Sequence, residues 1–165
     1  MKNRKLLIAR IILTVLTVTA VAAIFYNSSL SAVESTEQSS PLTDAINSFL
    51  VSVRIPLTLT EKMIRKIAHF IEYSALGALL TATVHLYTRK RGQTLMFVLP
   101  IGVLVAVCDE LIQLSSAGRS CEVRDMVIDF SGIVFAALIV ILLISILEKR
   151  FKAIPHKDVA IKGTM

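Results

Sequence analysis

The sequence predicts an all-α fold, a membrane bundle of four transmembrane helices with a short amphipathic helix in its first outer loop. The 165-residue chain is 55% hydrophobic and only 18% charged, with a mean hydropathy of +0.72, whereas about a quarter of an average soluble domain is charged. A membrane-spanning helix needs about 20 apolar residues. Four runs meet or nearly meet that length, and these are residues 6–26, 67–87, 94–114 and 125–147. Lipid cannot form hydrogen bonds with the backbone N–H and C=O groups, so each run is predicted to be a helix, in which these groups bond to one another.

The first run, residues 6–26, has two interpretations. A basic start with Lys2, Arg4 and Lys5, followed by the small residues Ala20-Val21-Ala22, is typical of a signal peptide. The apolar stretch is longer than the core of an ordinary signal peptide, which favours an uncleaved membrane anchor. We therefore predict that this run is the first transmembrane helix.

The segment between the first two runs is predicted to contain the amphipathic helix. Residues 27–40 are polar and rich in serine, and Ser40 followed by Pro41 is typical of a helix start. Apolar residues then recur at helical spacing: Leu42, Ala45, Ile46, Phe49, Leu50 and Val53. Pro56 is predicted to end this helix, and Thr60 to cap the next. The apolar face can lie on the outer membrane surface or pack against the bundle.

Basic residues are distributed unevenly around the four runs, and this predicts the orientation of the bundle. Cytoplasmic flanks of membrane helices carry an excess of Lys and Arg. Twelve of the 18 basic residues lie before or near the start of the first run, between the second and third, or after the fourth. We therefore predict cytoplasmic termini, a single membrane domain over residues 1–150 and a poorly ordered tail over residues 151–165. The net charge of +6 is then a consequence of topology and does not indicate nucleic-acid binding.

Polar and ionisable residues occur in three of the runs, all near the same predicted end. Because the chain crosses the membrane in alternating directions, the start of the second run, the end of the third and the start of the fourth lie in the outer half. The residues at these places are Lys66, His69, Glu72, Tyr73, Asp109, Glu110, Gln113, Asp125 and Asp129. Arg119 and Arg124, in the short loop before the fourth run, can reach the same level. Gly132 and Ala136 continue the face of Asp129 with small residues that allow close helix approach.

Two interpretations of this polar cluster follow from the residues alone, since ionisable groups inside membrane spans are candidate functional groups. In the first interpretation, the cluster is an outward-facing site. Its candidate catalytic residues are His69, Glu72, Asp109 and Glu110, because a histidine beside carboxylates can transfer protons near neutral pH. The candidate ligand-binding residues are Lys66, Tyr73, Gln113, Arg119, Arg124, Asp125 and Asp129, of which the cations can hold phosphate. In the second interpretation, opposite charges neutralise one another in a structural salt-bridge network.

A metal site is also considered at this cluster. His69 and Glu72 are three residues apart on a helix, which is a spacing that can bind a metal ion. The cluster contains only one histidine, because His85 lies at the inner end of the second run. We therefore predict no metal ion and no other cofactor, and these residues do not decide whether the chain is an enzyme.

Three motifs in this cluster, in order, resemble the signature of the VanZ-like family of small bacterial membrane proteins. They are KIAHFIEY at residues 66–73 followed by Leu76 and Gly77, DELIQ at 109–113, and GRS at 118–120 with Asp125, Asp129 and Gly132. The resemblance covers about residues 10–147. The chain departs from the family at Asp129, where Asn is common, and after the first span, where members often show Phe-Ser-Ser-Gln. The resemblance implies a four-span protein of the bacterial cell membrane with the outward cluster as its functional centre.

The resemblance further implies a link to resistance against the glycopeptide antibiotic teicoplanin, to which the family name is attached. We expect the cluster to bind or modify an anionic lipid or a lipid-linked cell-envelope intermediate. The alternative is a non-enzymatic envelope protein that limits antibiotic access or binds a partner, with the cluster as a salt-bridge network. Transport is disfavoured because the third and fourth runs are almost wholly apolar beyond the cluster. The residues indicate no oligomeric state.

Overall fold

A computed structural model of the protein describes the backbone of residues 2–153 and the side chains of residues 3–150, and this part of the chain forms five α-helices. The helices are α1 Lys2–Ser29, α2 Ala32–Ser52, α3 Glu61–Thr88, α4 Arg91–Leu114 and α5 Val123–Ala153. Of these, α1, α3, α4 and α5 are long and apolar enough to cross a membrane. The predicted four-span membrane fold is therefore confirmed. The predicted tail lies, from residue 154 onward, outside the described residues.

The helix α2 begins after Ser31, not after Ser40 as the sequence predicts. Ser31 and Glu34 form a capping box, in which the Ser31 N–H donates to the Glu34 carboxylate at 2.8 Å and the Glu34 N–H donates to Ser31 Oγ at 3.3 Å. This box satisfies the first free N–H groups of the helix. Pro41 then lies inside the helix, where its missing N–H costs one hydrogen bond. Because Pro41 and Glu37, whose carbonyl loses its donor, are both exposed, solvent can replace that bond.

Two contacts connect the end of α2 to the start of α3. The side chain of Asn47 accepts from the Leu59 N–H at 2.8 Å and donates to the Leu59 carbonyl at 2.9 Å. Thr60 then caps α3 by accepting from the Met63 N–H at 3.3 Å, as the sequence predicts. The helix α2 packs against α3, while Leu42 and Phe49 on α2 are 53% and 63% exposed. The helix therefore contacts the bundle and also presents apolar side chains outward.

The helices α3 and α5 approach each other closely at two glycines. A Cβ atom added at Gly132 would lie 2.7 Å from the carbonyl oxygen of Phe70, and one added at Gly77 would lie 2.7 Å from Cα of Ile133. Both distances are shorter than real Cβ contacts, so only glycine fits without moving a helix. Ala136, one turn after Gly132, is also buried. The close approach predicted from the small residues of α5 is therefore confirmed.

At the end of the bundle where α1 begins and α3 finishes, polar contacts connect these two helices. Arg10 donates to the Leu86 carbonyl at 2.8 Å, and the hydroxyl groups of Thr17 and Thr83 are 2.8 Å apart. These bonds satisfy polar groups that would be costly in lipid. Further along α1, Ile24 enters the hydrophobic core. The first helix is therefore an integrated part of the bundle.

The remaining end, where α1 and α4 finish and α3 and α5 begin, is called the cluster end below. Here the α4–α5 loop contacts the junction between α1 and α2. The Ala32 N–H donates to the Ala117 carbonyl at 3.0 Å, and the Ser116 hydroxyl donates to the Ser28 carbonyl, also at 3.0 Å. The loop that carries Arg119 is thus fixed against α1 and α2.

Candidate functional site

The structure brings polar residues of three helices together near the cluster end. His69 of α3, Asp109 of α4 and Asp129 of α5 lie roughly 8–12 Å from the nearer ends of their helices, at a rise of about 1.5 Å per residue. Each offers a nitrogen or oxygen atom, and these atoms all lie within 4.8 Å of one another. The alternating direction of the spans therefore does place these groups at one depth.

The part of the cluster nearer the helix ends, called its outer part below, is a network of ion pairs. Lys62 Nζ lies 3.2 Å from Glu122 Oε1, Lys66 Nζ lies 3.8 Å from Glu122 Oε2, and Lys66 also pairs directly with Asp125. Because α3 and α5 run in the same direction, the next turn of α3 meets the next turn of α5. The pair of His69 with Asp129 follows the pair of Lys66 with Asp125 in this way.

The part of the cluster deeper in the bundle, called its inner part below, contains carboxylates that no Lys or Arg among the described residues neutralises. His69 Nδ1 lies 3.3 Å from Asp129 Oδ1, and its ring stacks on Tyr73 with centroids 6.4 Å apart. Gln113 Nε2 donates to Asp109 Oδ2 at 3.1 Å. Asp109 and Asp129 are fully buried, and no Lys or Arg side chain within residues 3–150 forms an ion pair with either. Two carboxylates and one imidazole thus lie together, and such a set of side chains can hold a metal ion.

Two of the predicted catalytic carboxylates have other partners. Glu110 is fully buried, and its Oε2 accepts the backbone N–H of Glu122 at 2.9 Å. Glu72 Oε1 accepts from the Asn27 side chain at 3.3 Å. In the described part of the chain, neither carboxylate forms a hydrogen bond or ion pair with His69. The carboxylate best placed to act with His69 is therefore Asp129, which the sequence predicts only as a ligand-binding residue.

Two arginines, Arg65 and Arg119, lie beside the cluster without a carboxylate partner among the described residues. Arg65 Nη1 donates to Thr36 Oγ1 at 3.3 Å. Arg119 Nη1 donates to carbonyl oxygens at the end of α1, at 3.3 Å for the shortest, where a cation is favourable because the carbonyl ends of the helix dipole carry negative charge. Burial and the positive charge of Arg65 lower the pKa of the Arg119 guanidinium. An arginine stays charged in proteins, so two cations face each other here.

Two adjoining cavities open at these arginines. The α3–α5 cavity, of about 150 Å³, lies between the start of α3, the α4–α5 loop and the start of α5. The α2–α3 cavity, of about 180 Å³, lies between the end of α1, α2 and α3. Arg65, His69 and Arg119 line both cavities. Of the other predicted site residues, Lys66, Gln113, Asp125 and Asp129 line the first cavity, and Glu72 lines the second.

Arg124 is the predicted site residue that the structure does not bring to the cluster. It is exposed, lines neither cavity and has no ion pair within the described residues. It precedes Asp125 directly, and neighbouring residues of a helix point about 100° apart. When Asp125 faces Lys66, Arg124 therefore points to the side of α5, where it is exposed.

Four residues that contact the cluster or line its cavities, Lys62, Arg65, Glu122 and Asn27, are absent from the predicted set. A sequence signal exists for Arg65, because it precedes His69 by four residues and so lies on the same helix face. Glu122 and Asn27 lie next to helix ends, where the course of the chain decides what a side chain reaches. Their contacts could not be derived from spacing within one helix.

The fold and the site define a class, that of small multi-span membrane proteins with a polar site near one end of the helix bundle. The model of the VanZ/LLP1 family matches residues 13–144 of the chain. The protein therefore belongs to the VanZ/LLP1 family, and the resemblance carried by its three motifs is confirmed. Comparisons with curated proteins and with solved structures found no match.

Proposed function

We propose that the protein binds the phosphate-bearing headgroup of an anionic lipid, or of a lipid-linked cell-envelope intermediate, in the two adjoining cavities. The observation that carries this proposal is the pair of Arg65 and Arg119. Both line both cavities, and neither forms an ion pair with a described residue. Each uses Nη1 for its hydrogen bonds within the protein, while a guanidinium has five N–H donors. A phosphate bound between them would accept the remaining donors and offset their repulsion.

The walls of the α2–α3 cavity favour a lipid over a free anion. Leu42, Ile64 and Ala68 contribute apolar surface beside Arg65 and Arg119. A lipid with an anionic headgroup has the same combination of a charged end and an apolar chain. The cavity lies near the ends of the spanning helices, and in a membrane this would be the level where headgroups meet hydrocarbon. Lateral access from the membrane between α2 and α3 would let the lipid reach it.

The proposed orientation of the bundle gives the cavities a location, and His69 gives them a candidate chemistry. With both termini cytoplasmic, the cavities open to the outer leaflet of a bacterial cell membrane, where a lipid-linked envelope intermediate is within reach. Glycopeptide antibiotics meet the outer surface of the membrane, where a lipid-linked envelope intermediate is exposed. Binding of that intermediate would therefore connect this protein to glycopeptide resistance. His69, in the wall of both cavities and 3.3 Å from Asp129, could then transfer a proton to or from the bound headgroup.

A second candidate is a non-enzymatic envelope protein that limits antibiotic access or binds a partner. The ion pairs of Lys62 with Glu122 and of Lys66 with Asp125 favour it, because they hold α3 and α5 together without any ligand. This candidate accounts for the outer part of the cluster. It leaves Arg65 and Arg119 without an anionic partner among the described residues, which is why lipid binding is preferred.

Lipid selection by the purified protein tests the proposal. The full chain in non-ionic detergent is mixed with equal amounts of phosphatidylglycerol and phosphatidylcholine, and native mass spectrometry counts the lipids retained. We expect one anionic lipid per chain, with a preference of at least about 10-fold, or about 1.4 kcal/mol. Inorganic phosphate at millimolar concentration is expected not to displace it, because the apolar wall adds affinity. Equal retention of the two lipids would contradict the proposal and favour the second candidate.

A further inference from the structure

The group of His69, Asp109 and Asp129 has the composition and spacing of a metal site. The three side chains come from α3, α4 and α5, and one ligand atom of each lies within 4.8 Å of the others. Two atoms bound to one zinc ion at about 2.0–2.2 Å are separated by no more than about 4.4 Å. Small side-chain rotations would therefore bring all three atoms onto a common ion.

Three of the four carboxylate oxygens of this group have no hydrogen-bond partner among the described residues. Both carboxylate oxygens of Asp129 and the Oδ1 atom of Asp109 are buried and have no hydrogen bond to any residue that the structure describes. Both side chains have no exposed surface. An uncompensated carboxylate is costly to bury. One protonated imidazole would offset only one of the two negative charges, whereas a divalent cation would balance both.

The surroundings of Asp109 match those of a metal ligand. Ligating carboxylates are held by hydrogen bonds from neighbouring side chains, which orient the free oxygen toward the ion. Gln113 Nε2 donates to Asp109 Oδ2 at 3.1 Å, and this leaves Oδ1 free. His69 and Asp129 also line the α3–α5 cavity, so an ion can reach them from the cluster end.

We propose that His69, Asp109 and Asp129 bind one divalent transition-metal ion. One imidazole nitrogen with two carboxylate oxygens is a borderline donor set that suits Zn²⁺ or Mn²⁺. The ligand set differs from the pair of His69 and Glu72 that the helix spacing suggests, since Glu72 bonds to Asn27. The metal site shares His69 with the walls of the proposed lipid cavities. Its ligands do not include Arg65 or Arg119, the two residues on which the proposed lipid binding rests.

Metal titration of the full-length protein in detergent, without added lipid, tests this site. The protein is treated with a chelator, dialysed and titrated with Mn²⁺ while electron paramagnetic resonance measures free and bound ion. We expect one Mn²⁺ per chain, with a nitrogen coupling that disappears in His69→Gln. Asp109→Asn and Asp129→Asn each remove a charged ligand and are expected to weaken binding at least about 100-fold. Loss of a residue that only orients a ligand already weakens metal binding by about 10- to 100-fold.

A matched control and a second measurement guard against misfolding. Asp44→Asn makes the same chemical change on the exposed surface of α2 and is expected to bind Mn²⁺ like the parent. Mn²⁺ or Zn²⁺ should raise the thermal unfolding temperature of the parent and of Asp44→Asn, but not that of Asp129→Asn. Absence of stoichiometric binding, absence of nitrogen coupling in the parent, or equal affinity in Asp129→Asn would overturn the proposal. Each of these results leaves the lipid-retention experiment untouched.

Discussion

Replacing Arg65 and Arg119 together by glutamine is expected to lower the affinity for an anionic lipid by at least about 100-fold. A hydrogen bond to a charged group contributes about 1.5–3 kcal/mol. Loss of one such bond at each arginine therefore removes about 3 kcal/mol or more, and about 1.4 kcal/mol corresponds to tenfold in affinity. Native mass spectrometry of a lipid titration measures the change. Phosphatidylcholine, which has a compensating positive charge, should be affected much less.

The controls for this prediction separate binding from folding. Arg119 also bonds to carbonyl groups at the end of α1, so its loss is expected to cost some stability. Arg65→Gln alone leaves those bonds intact and should still weaken the anionic lipid about 10-fold, the equivalent of one charged hydrogen bond. Arg54→Gln changes an exposed arginine that lines neither cavity and should bind like the parent. Unchanged affinity in the double variant would show that these arginines do not hold the headgroup.

Gly132→Val is expected to destabilise the bundle by about 3 kcal/mol, at the upper end of the usual cost of overpacking. Its added Cβ would meet the backbone of α3, with Phe70 O at 2.7 Å and Ser74 N at 3.1 Å. Backbone atoms cannot rotate away as a flexible side chain can, so α3 and α5 must separate. Gly77→Val meets the backbone of Ile133 in the same way and should have a similar effect. Unfolding in detergent, followed by circular dichroism, measures both variants.

Gly92→Val is the matched control for the two glycine variants. A Cβ atom at Gly92 meets nothing within 4 Å, so valine there changes only helix propensity, by a few tenths of a kcal/mol. We expect its unfolding midpoint to stay close to that of the parent. If all three valine variants were equally stable, the close contact between α3 and α5 would not be a feature of the folded protein.

The fold was predictable because the membrane restricts what an apolar chain can form. A run of about 20 apolar residues has to be helical in lipid, and four such runs leave few arrangements. The start of α2 was not predictable from Ser40 and Pro41, since two helix starts compete in that segment. The capping box of Ser31 and Glu34 prevails because Pro41 lies on an exposed face, where its missing hydrogen bond costs little.

The candidate site was predictable in depth but not in pairing. Alternating spans place His69, Asp109 and Asp129 at one level whatever the rotation of each helix. Which side chains meet depends on how α3 and α5 rotate about their own axes, and the two close contacts at glycine decide that rotation. The sequence therefore indicates the members of the inner group, while the pairing of His69 with Asp129 required the structure.

The same limit explains why Arg119 was predicted as a site residue but its partner Arg65 was not. Arg65 and Arg119 are far apart in the chain and belong to a helix and a loop. They come together because the α4–α5 loop is held against the junction of α1 and α2, through the contacts of Ala117 with Ala32 and of Ser116 with Ser28. No periodicity within one segment carries that information.

The central claim is that Arg65 and Arg119 hold the phosphate of an anionic lipid. A crystal structure grown from a lipidic mesophase that contains phosphatidylglycerol tests it most directly, because the phosphorus position can be seen. We predict density for one phosphate group with oxygens about 2.7–3.2 Å from guanidinium nitrogens of both arginines, and an acyl chain along Leu42 and Ile64. Density for the phosphate elsewhere, or Arg65 and Arg119 each paired with a carboxylate of the protein, would contradict the account.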